Sequence, residues 1–250
     1  MDNLNSHSYS MVSVANKCLR LYKLQFIDKH PFAKEESSAL DFGTAVHSAL
    51  QATLEGGNGE EVFHVFWESV KDKDMKFFRH SWDDLSQIGS QLVGRFGRLH
   101  AKNFKIKRPM EQRLFGELGG YNIEGTPDFI GEYKGVPSIV DFKTSSQVYT
   151  PDKLVVSDQL HLYRHLVKQQ LGYDAKQLVY LVLNKHPVRI QSLVTEVDEN
   201  QHKEVLENIR VQIEELEKRS IWPQNKQSCL VGGKYRCSAW DVCHGSKNSS

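Results

Sequence analysis

The chain carries only four cysteines in 250 residues, and its 32 Lys+Arg are almost cancelled by 31 Asp+Glu. The first scarcity excludes a disulfide scaffold and leaves burial or metal binding as the uses of the thiols. The second leaves a net charge of +1 and no global basic field, so any phosphate binding has to be local. Long apolar runs are also missing. The longest, around residues 178–183, falls far short of the roughly 20 residues a spanning helix needs, and Met1-Asp2-Asn3 does not open a basic-then-apolar leader. A soluble protein of the reducing cytoplasm, without membrane contact, is the expectation. Repeats and low-complexity segments are absent, and 39% apolar with 25% charged residues excludes disorder and collagen-like repeats. What remains is a chain long enough for one substantial core.

Three stretches follow one another. Residues 10–104 read as helical: Val12, Leu19, Leu21 and Leu24, then Phe42, Val46, Ala49 and Leu50, then Leu85, Ile88, Leu92 and Phe96 recur at helical intervals. Residues 56–59 break the pattern, and the charged run 71–76 begins a surface loop. From Glu111 the rhythm changes to short β-branched and aromatic segments at 114–118, 121–123, 129–133 and 138–142, read as consecutive antiparallel strands. A helix over about 156–171, stopped by Gly172, two strands at 178–183 and 188–197, and an amphipathic helix over 199–219 complete an α/β core. Residues 1–108 are assigned to an N-terminal helical region, 109–220 to the core and 221–250 to a cysteine-bearing segment.

Carboxylates at strand ends are where chemistry is expected. Gly125-Thr126-Pro127-Asp128 puts an acid after a turn, and thirteen residues on, Ile139-Val140-Asp141-Phe142-Lys143 puts an acid and an amine on one strand face. Two such carboxylates can hold a hard divalent cation, and the ammonium beside them can orient water or balance phosphate charge. Chance alone supplies roughly one Asp-x-Lys in a chain of this length; Asp74-Met75-Lys76 has the same spacing and Glu132-Tyr133-Lys134 has its Glu variant. Their settings differ, the first in a charged loop and the second running into a Lys-Gly turn, whereas Asp141 follows an apolar pair. Gln159 and Tyr163 are four apart on a predicted helix and share a face that can address a phosphate or a base edge, or can form a partly buried polar pair. His47 lies on a helix among small residues, either as a metal ligand or as an ordinary helical histidine. Lys102, Lys105, Lys107 and Arg108 form the most basic local run, which reads as a DNA backbone contact or as a solvated helix end.

In this order, a helical His47, Gly-x-x-Asp128, Asp141-x-Lys143 and Gln159-x-x-x-Tyr163 resemble the PD-(D/E)XK nuclease superfamily, in particular its RecB-like branch. The resemblance covers about 120 residues. It implies a restriction-endonuclease-like mixed sheet flanked by helices, with His47, Asp128, Asp141 and the Phe142 carbonyl binding Mg²⁺ or Mn²⁺ and Lys143 positioning or activating the attacking water. Gln159 and Tyr163 would complete the catalytic set and contact DNA. The family's further glutamate has Glu111 as its nearest candidate. One early and three late cysteines, Cys18, Cys229, Cys237 and Cys243, are similar to the arrangement in iron–sulfur-bearing members such as AddB-type and CRISPR-associated exonucleases. Ser10 with Cys18-Leu19-Arg20, and Trp222-Pro223 with residues 237–243, resemble the opening and closing segments of that group. Leu19 stands where Pro is usual, and the first late gap is wide. A [4Fe–4S] cluster is thereby implied, with Cys₄ zinc and unligated thiols as rivals. The implied activity is metal-dependent DNA hydrolysis, by an exonuclease at ends or in single strands during recombination or repair, with a recombination or repair complex as the implied partner; a non-catalytic DNA-binding or assembly subunit is the alternative.

Overall fold

The structure, a computed structural model, describes residues 6–31, 37–73, 75–77, 79–231 and 235–245. Met1-Asp2-Asn3 and Asp74 lie outside the described residues. In chain order the elements are β1 (His7–Ser8), α1 (Tyr9–Lys17), α2 (Leu19–Tyr22), α3 (Ser38–Leu54), α4 (Gly59–Ser69), α5 (Trp82–Leu99), β2 (Phe104–Ile106), β3 (Leu114–Leu118) and β4 (Tyr121–Gly125). There follow β5 (Phe129–Tyr133), β6 (Val136–Ser145), α6 (Asp152–Val155), α7 (Asp158–Leu171), β7 (Gln177–Lys185), β8 (Val188–Glu196), α8 (Glu199–Glu217), β9 (Leu230–Val231), β10 (Tyr235–Arg236) and α9 (Trp240–His244). No described helix is long and apolar enough to cross a membrane.

Two compact units divide these elements. One, the sheet unit, spans Ser37–Gly116 and Glu124–Leu206; the other, the terminal unit, comprises the described residues of Met1–Glu36, Glu117–Ile123 and Glu207–Ser250. The sheet unit is built on five strands in the order β2-β5-β6-β7-β8. All neighbours are antiparallel except β6 and β7, whose parallel pairing requires a crossover, supplied by α6 and α7. One face, carrying Val140, Phe142, Val179, Leu181 and Leu183, packs against Phe42, Val46, Leu50, Leu92 and Phe96 of α3 and α5. Because side chains alternate, Asp141 and Lys143 stand on the other face, toward α7. There α7 buries Leu160, Leu162, Leu166 and Val167. Ser157 caps α7 through a hydrogen bond from Leu160 N, and Gly172 ends it in the left-handed conformation that glycine alone adopts without cost.

The structure corrects several expectations of sequence pattern. Residues 104–106, assigned to the helical region, form the edge strand β2, a three-residue segment whose extended state is owed to its pairing with β5. The four strands between 114 and 142 do not form one antiparallel series: β3 and β4 belong to a three-stranded sheet, β1-β4-β3, and only β5 and β6 join the large sheet. Cys18 does not lie within a helix. Its extended backbone (φ −163°, ψ 115°) separates α1 from α2.

In the terminal unit, Ala15, Tyr22 and Leu216 form a small core that includes Trp222, whose ring stacks on Tyr22 at 5.5 Å. A second core joins Cys18, Leu21, Leu24 and Ala239, with Cys237 and Cys243 at its margin.

Candidate active site

Asp141 and Lys143 lie where β6 runs past the end of β5. The β5–β6 ladder closes at Phe129↔Val140, leaving the Phe142 N–H beyond it, and that N–H donates instead to Asp128 Oδ2 at 2.6 Å. The carboxylate at the turn thus takes over the role of the missing strand residue. Its other oxygen lies 3.4 Å from His47 Nδ1, and the His47 ring meets Phe142 edge-on at 6.0 Å. Gly125, three residues before Asp128, is required by close approach: a Cβ there would stand 2.7 Å from the Tyr163 ring.

Ligand-type atoms of His47, Glu111 and Asp128 all lie within 4.8 Å of one another, the one such trio among the described residues. Asp141 is not part of it. Its carboxylate, 3% exposed, is turned to Lys143 Nζ at 2.7 Å, yet Oδ2 has no well-directed hydrogen bond among the described residues. Lys143 donates to Gln159 Oε1 at 2.7 Å, and Gln159 Nε2 donates to Tyr163 Oη at 2.9 Å, so four residues from β6 and α7 form a continuous polar chain. The Tyr180 ring lies beneath the ammonium, 5.5 Å away. Glu111 sits in the turn before β3 rather than on a strand, in a left-handed conformation (φ 51°) that is costly for a residue with a side chain.

The electrostatics agree with a site short of positive charge. Burial pushes the Asp141 carboxyl up, with the charge on Asp128 adding to the shift against the pull of Lys143. Burial and Asp128 also raise Glu111. His47 is raised because Asp128 outweighs the opposing effect of burial. Carboxylates that repel one another beside an imidazole are a donor set suited to a divalent cation.

Sequence expectation and geometry part at the basic run. Lys107 pairs with Glu132 at 2.7 Å, Lys105 lies 3.9 Å from the same carboxylate, and Arg108 points to the Leu171 carbonyl. Glu132, half of the Glu132-Tyr133-Lys134 match, is thus engaged by lysines of the β2 edge and is no part of the acidic cluster. Lys102 lies in the short 3₁₀ turn ahead of β2. Sequence reasoning passed over Tyr180, which sits inside an apolar run where nothing marks its ring as facing Lys143.

In the terminal unit, Cys18, Cys229, Cys237 and Cys243 line one small cavity together with Gln224 and Asn225. Gln224 Nε2 donates to Cys229 Sγ at 3.2 Å and the Asn225 N–H to Cys18 Sγ at 3.4 Å. Burial raises the thiols of Cys237 and Cys243. Among the described residues no three of these sulfurs lie within 4.8 Å of one another.

None of the curated proteins matches the chain in sequence. Among solved structures, one described as a "Putative exonuclease" from Eubacterium rectale is 14% identical, with a TM-score of 0.59 over 98% of this chain and 89% of that one. SSO0001 is 15% identical, with a TM-score of 0.43 over 96% and 86%. The first likeness extends to the fold. The family model of the PD-(D/E)XK nuclease superfamily matches residues 6–244. With the Asp141-x-Lys143 strand, its partner Asp128 and the mixed sheet beneath them, the chain belongs to the PD-(D/E)XK nuclease superfamily.

Proposed function

We propose that the protein is a divalent-metal-dependent deoxyribonuclease of the RecB-like branch, acting as an exonuclease on DNA ends or single strands in cytoplasmic recombination or repair. The observation that carries this reading is the joining of a His47–Glu111–Asp128 donor trio to the Asp141–Lys143–Gln159–Tyr163 chain around the end of β6.

His47, Asp128 and Asp141 would hold Mg²⁺ or Mn²⁺, with Glu111 as a further oxygen donor. The Phe142 carbonyl completes the set, since in a strand it points to the same side as the N–H that reaches Asp128. A bound ion would supply Lewis-acid polarisation of the phosphoryl oxygen and a more acidic water. The chain's own residues do the positioning. Lys143 has three donor directions; Gln159 takes one, and the Asp141 carboxylate holds the ammonium as an ion pair, which leaves a donor for the attacking water or a phosphate oxygen. Tyr163, through Gln159, fixes the lysine's reach and offers its hydroxyl to the strand. Lys102 and Arg108 remain the members of the basic run without a carboxylate partner among the described residues, and these would contact DNA at the margin.

Cys18, Cys229, Cys237 and Cys243 hold a [4Fe–4S] cluster in this reading. Four thiols lining one cavity support it. Digestion of 5′- and 3′-labelled single- and double-stranded DNA, with Mg²⁺, Mn²⁺ or EDTA, tests the activity. Cleavage that is indifferent to EDTA, or none on any DNA, overturns it, the second result favouring a non-catalytic subunit. Anaerobically purified protein should contain close to four irons and four sulfides per chain; stoichiometric zinc would replace the cluster assignment.

A further inference from the structure

Residues 146–157 carry the chain from β6 through the short α6 to the start of α7, and two amide side chains of the sheet fasten the first part of this crossover. Asn184 Nδ2, on β7, donates to the Gln147 carbonyl at 2.8 Å. Gln191, on β8, clasps the backbone of Tyr149 twice: its Nε2 donates to the Tyr149 carbonyl at 2.8 Å and its Oε1 accepts from the Tyr149 N–H at 3.2 Å. Both amides stand on the sheet face that carries Lys143, because Lys143 is paired with Val182, which precedes Asn184 by two residues and is itself paired with Gln191. Further on, Gln201 Nε2 of α8 donates to the Val155 carbonyl at 2.9 Å. The clasps hold main-chain groups, so the crossover is fixed beside Lys143 without using the side chains it presents.

Those side chains continue a series of rings and ammonium groups that starts at Lys143. The Lys143 ammonium lies 5.5 Å from the Tyr180 ring, Tyr149 meets the same ring edge-on at 6.3 Å, and Lys153 Nζ lies over the Tyr149 ring at 5.6 Å. Exposure rises along the series. Tyr180 is buried, its hydroxyl hydrogen-bonded to Ser157, whereas Tyr149 is half-buried and Lys153 exposed. The same segment turns Val148, Val155 and Val156 to solvent, the last 72% exposed. Aromatic rings interleaved with cations are how proteins hold single-stranded nucleic acid: the rings stack on bases and the cations follow the backbone. Bases in a duplex keep their faces against one another, so a ring one step from Lys143 can stack only on a base that is unpaired.

We propose that Tyr149 and Lys153 form a platform for an unpaired DNA strand next to the scissile phosphate. Tyr149 stacks on a base in the place that Lys153 holds over its ring in the free protein, and Lys153 turns to the phosphate that follows. The proposal rests on the nuclease reading and deepens it: the strand presented to Lys143 is single.

The test is binding of two fluorescein-labelled strands of equal length and charge, an oligothymidylate and its abasic counterpart, followed by anisotropy in EDTA across a range of KCl concentrations. Tyr149→Ala should weaken binding of the oligothymidylate about tenfold and leave the abasic strand unchanged, while Tyr149→Phe, which keeps the ring, should bind as the wild type does. A loss of equal size on both strands, or none on either, overturns the platform; Mg²⁺-dependent cleavage by the wild type in a parallel assay then leaves the nuclease reading standing. A loss as large on a covalently closed circular duplex, whose bases are all paired, overturns the choice of a single strand. Lys153→Ala alters an exposed side chain and should shrink the slope of log affinity against log salt by about 0.7 on either strand. Should Tyr149→Ala fail to fold, that slope decides, and a wild-type slope overturns the platform. A wild type that neither binds nor cleaves overturns both readings.

Discussion

The two units hold their reactive side chains by different means. In the sheet unit, Asp141 and Lys143 ride on a ten-residue strand paired on both sides, and Gln159 and Tyr163 on a fourteen-residue helix packed on that sheet. Their positions follow from backbone ladders and apolar burial, whether or not a ligand is bound. The late cysteines of the terminal unit sit between strands of two residues and a helix of five. Such short elements bury little surface of their own, so a metal joining the four sulfurs, as proposed, would contribute to the arrangement around the cavity. The acidic site is preorganised by the fold; a cluster at the cysteines would take part in making it.

Substitutions should separate the two. The largest effect is expected from Asp141→Ala and Lys143→Ala, each lowering Mg²⁺-dependent cleavage by about a thousandfold or more. Circular dichroism should show both folded with a cooperative urea transition. Activity retained in either variant would remove that residue from the site. Cys229→Ser should do the reverse: iron content falls, the melting transition broadens or drops by several degrees, and limited proteolysis opens the chain ends before the sheet. A melting profile unchanged by loss of all four thiols would make the cavity a bystander.

A third contrast is acid sensitivity. His161 and His202 meet in the sheet unit with their Nδ1 atoms 3.1 Å apart. Burial and the charge of Arg164 lower both, His202 to about 4. Folding therefore keeps them neutral while the unfolded chain takes up protons from about pH 6.5. Stability is full above that value and is lost as pH falls toward 4, by roughly 2–3 kcal/mol for His202. Urea midpoints between pH 7 and 4 should show this slope, and His202→Leu should flatten it. The smallest effect belongs to Tyr163→Phe, which removes the acceptor of the Gln159 hydrogen bond and should slow cleavage about fivefold, in keeping with roughly 1 kcal/mol for one such bond. A rate unchanged in Tyr163→Phe would place the tyrosine's value in its ring alone.

Much of the site was legible because its parts are local. A period of two puts Asp141 and Lys143 on one face, a period of 3.6 does the same for Gln159 and Tyr163, and Gly172 stops α7 where expected. The remainder needed long-range contacts. Nothing in residues 104–106 distinguishes a strand from a helix end until β5 pairs with them. Nothing in the run 102–108 reveals that Glu132, across that pairing, takes its charge. Glu111 stood out only weakly, because its approach to Asp128 depends on a left-handed backbone that few non-glycine residues adopt.

By itself, then, the sequence determined the α/β order of elements, the strand and helix that carry the candidate motif, and a nuclease resemblance that the family match bears out. Periodicity and spacing suffice for those, since each is written within one element. Only the tertiary structure decided that Asp128 replaces a strand residue at the Phe142 N–H, that Cys18 and three cysteines more than 200 residues later line one cavity, and that Lys185 lies buried without a carboxylate partner among the described residues. These depend on which side chains a fold brings together and which it leaves unpaired, and the cost of an unpaired charge exists only once water has been excluded from around it.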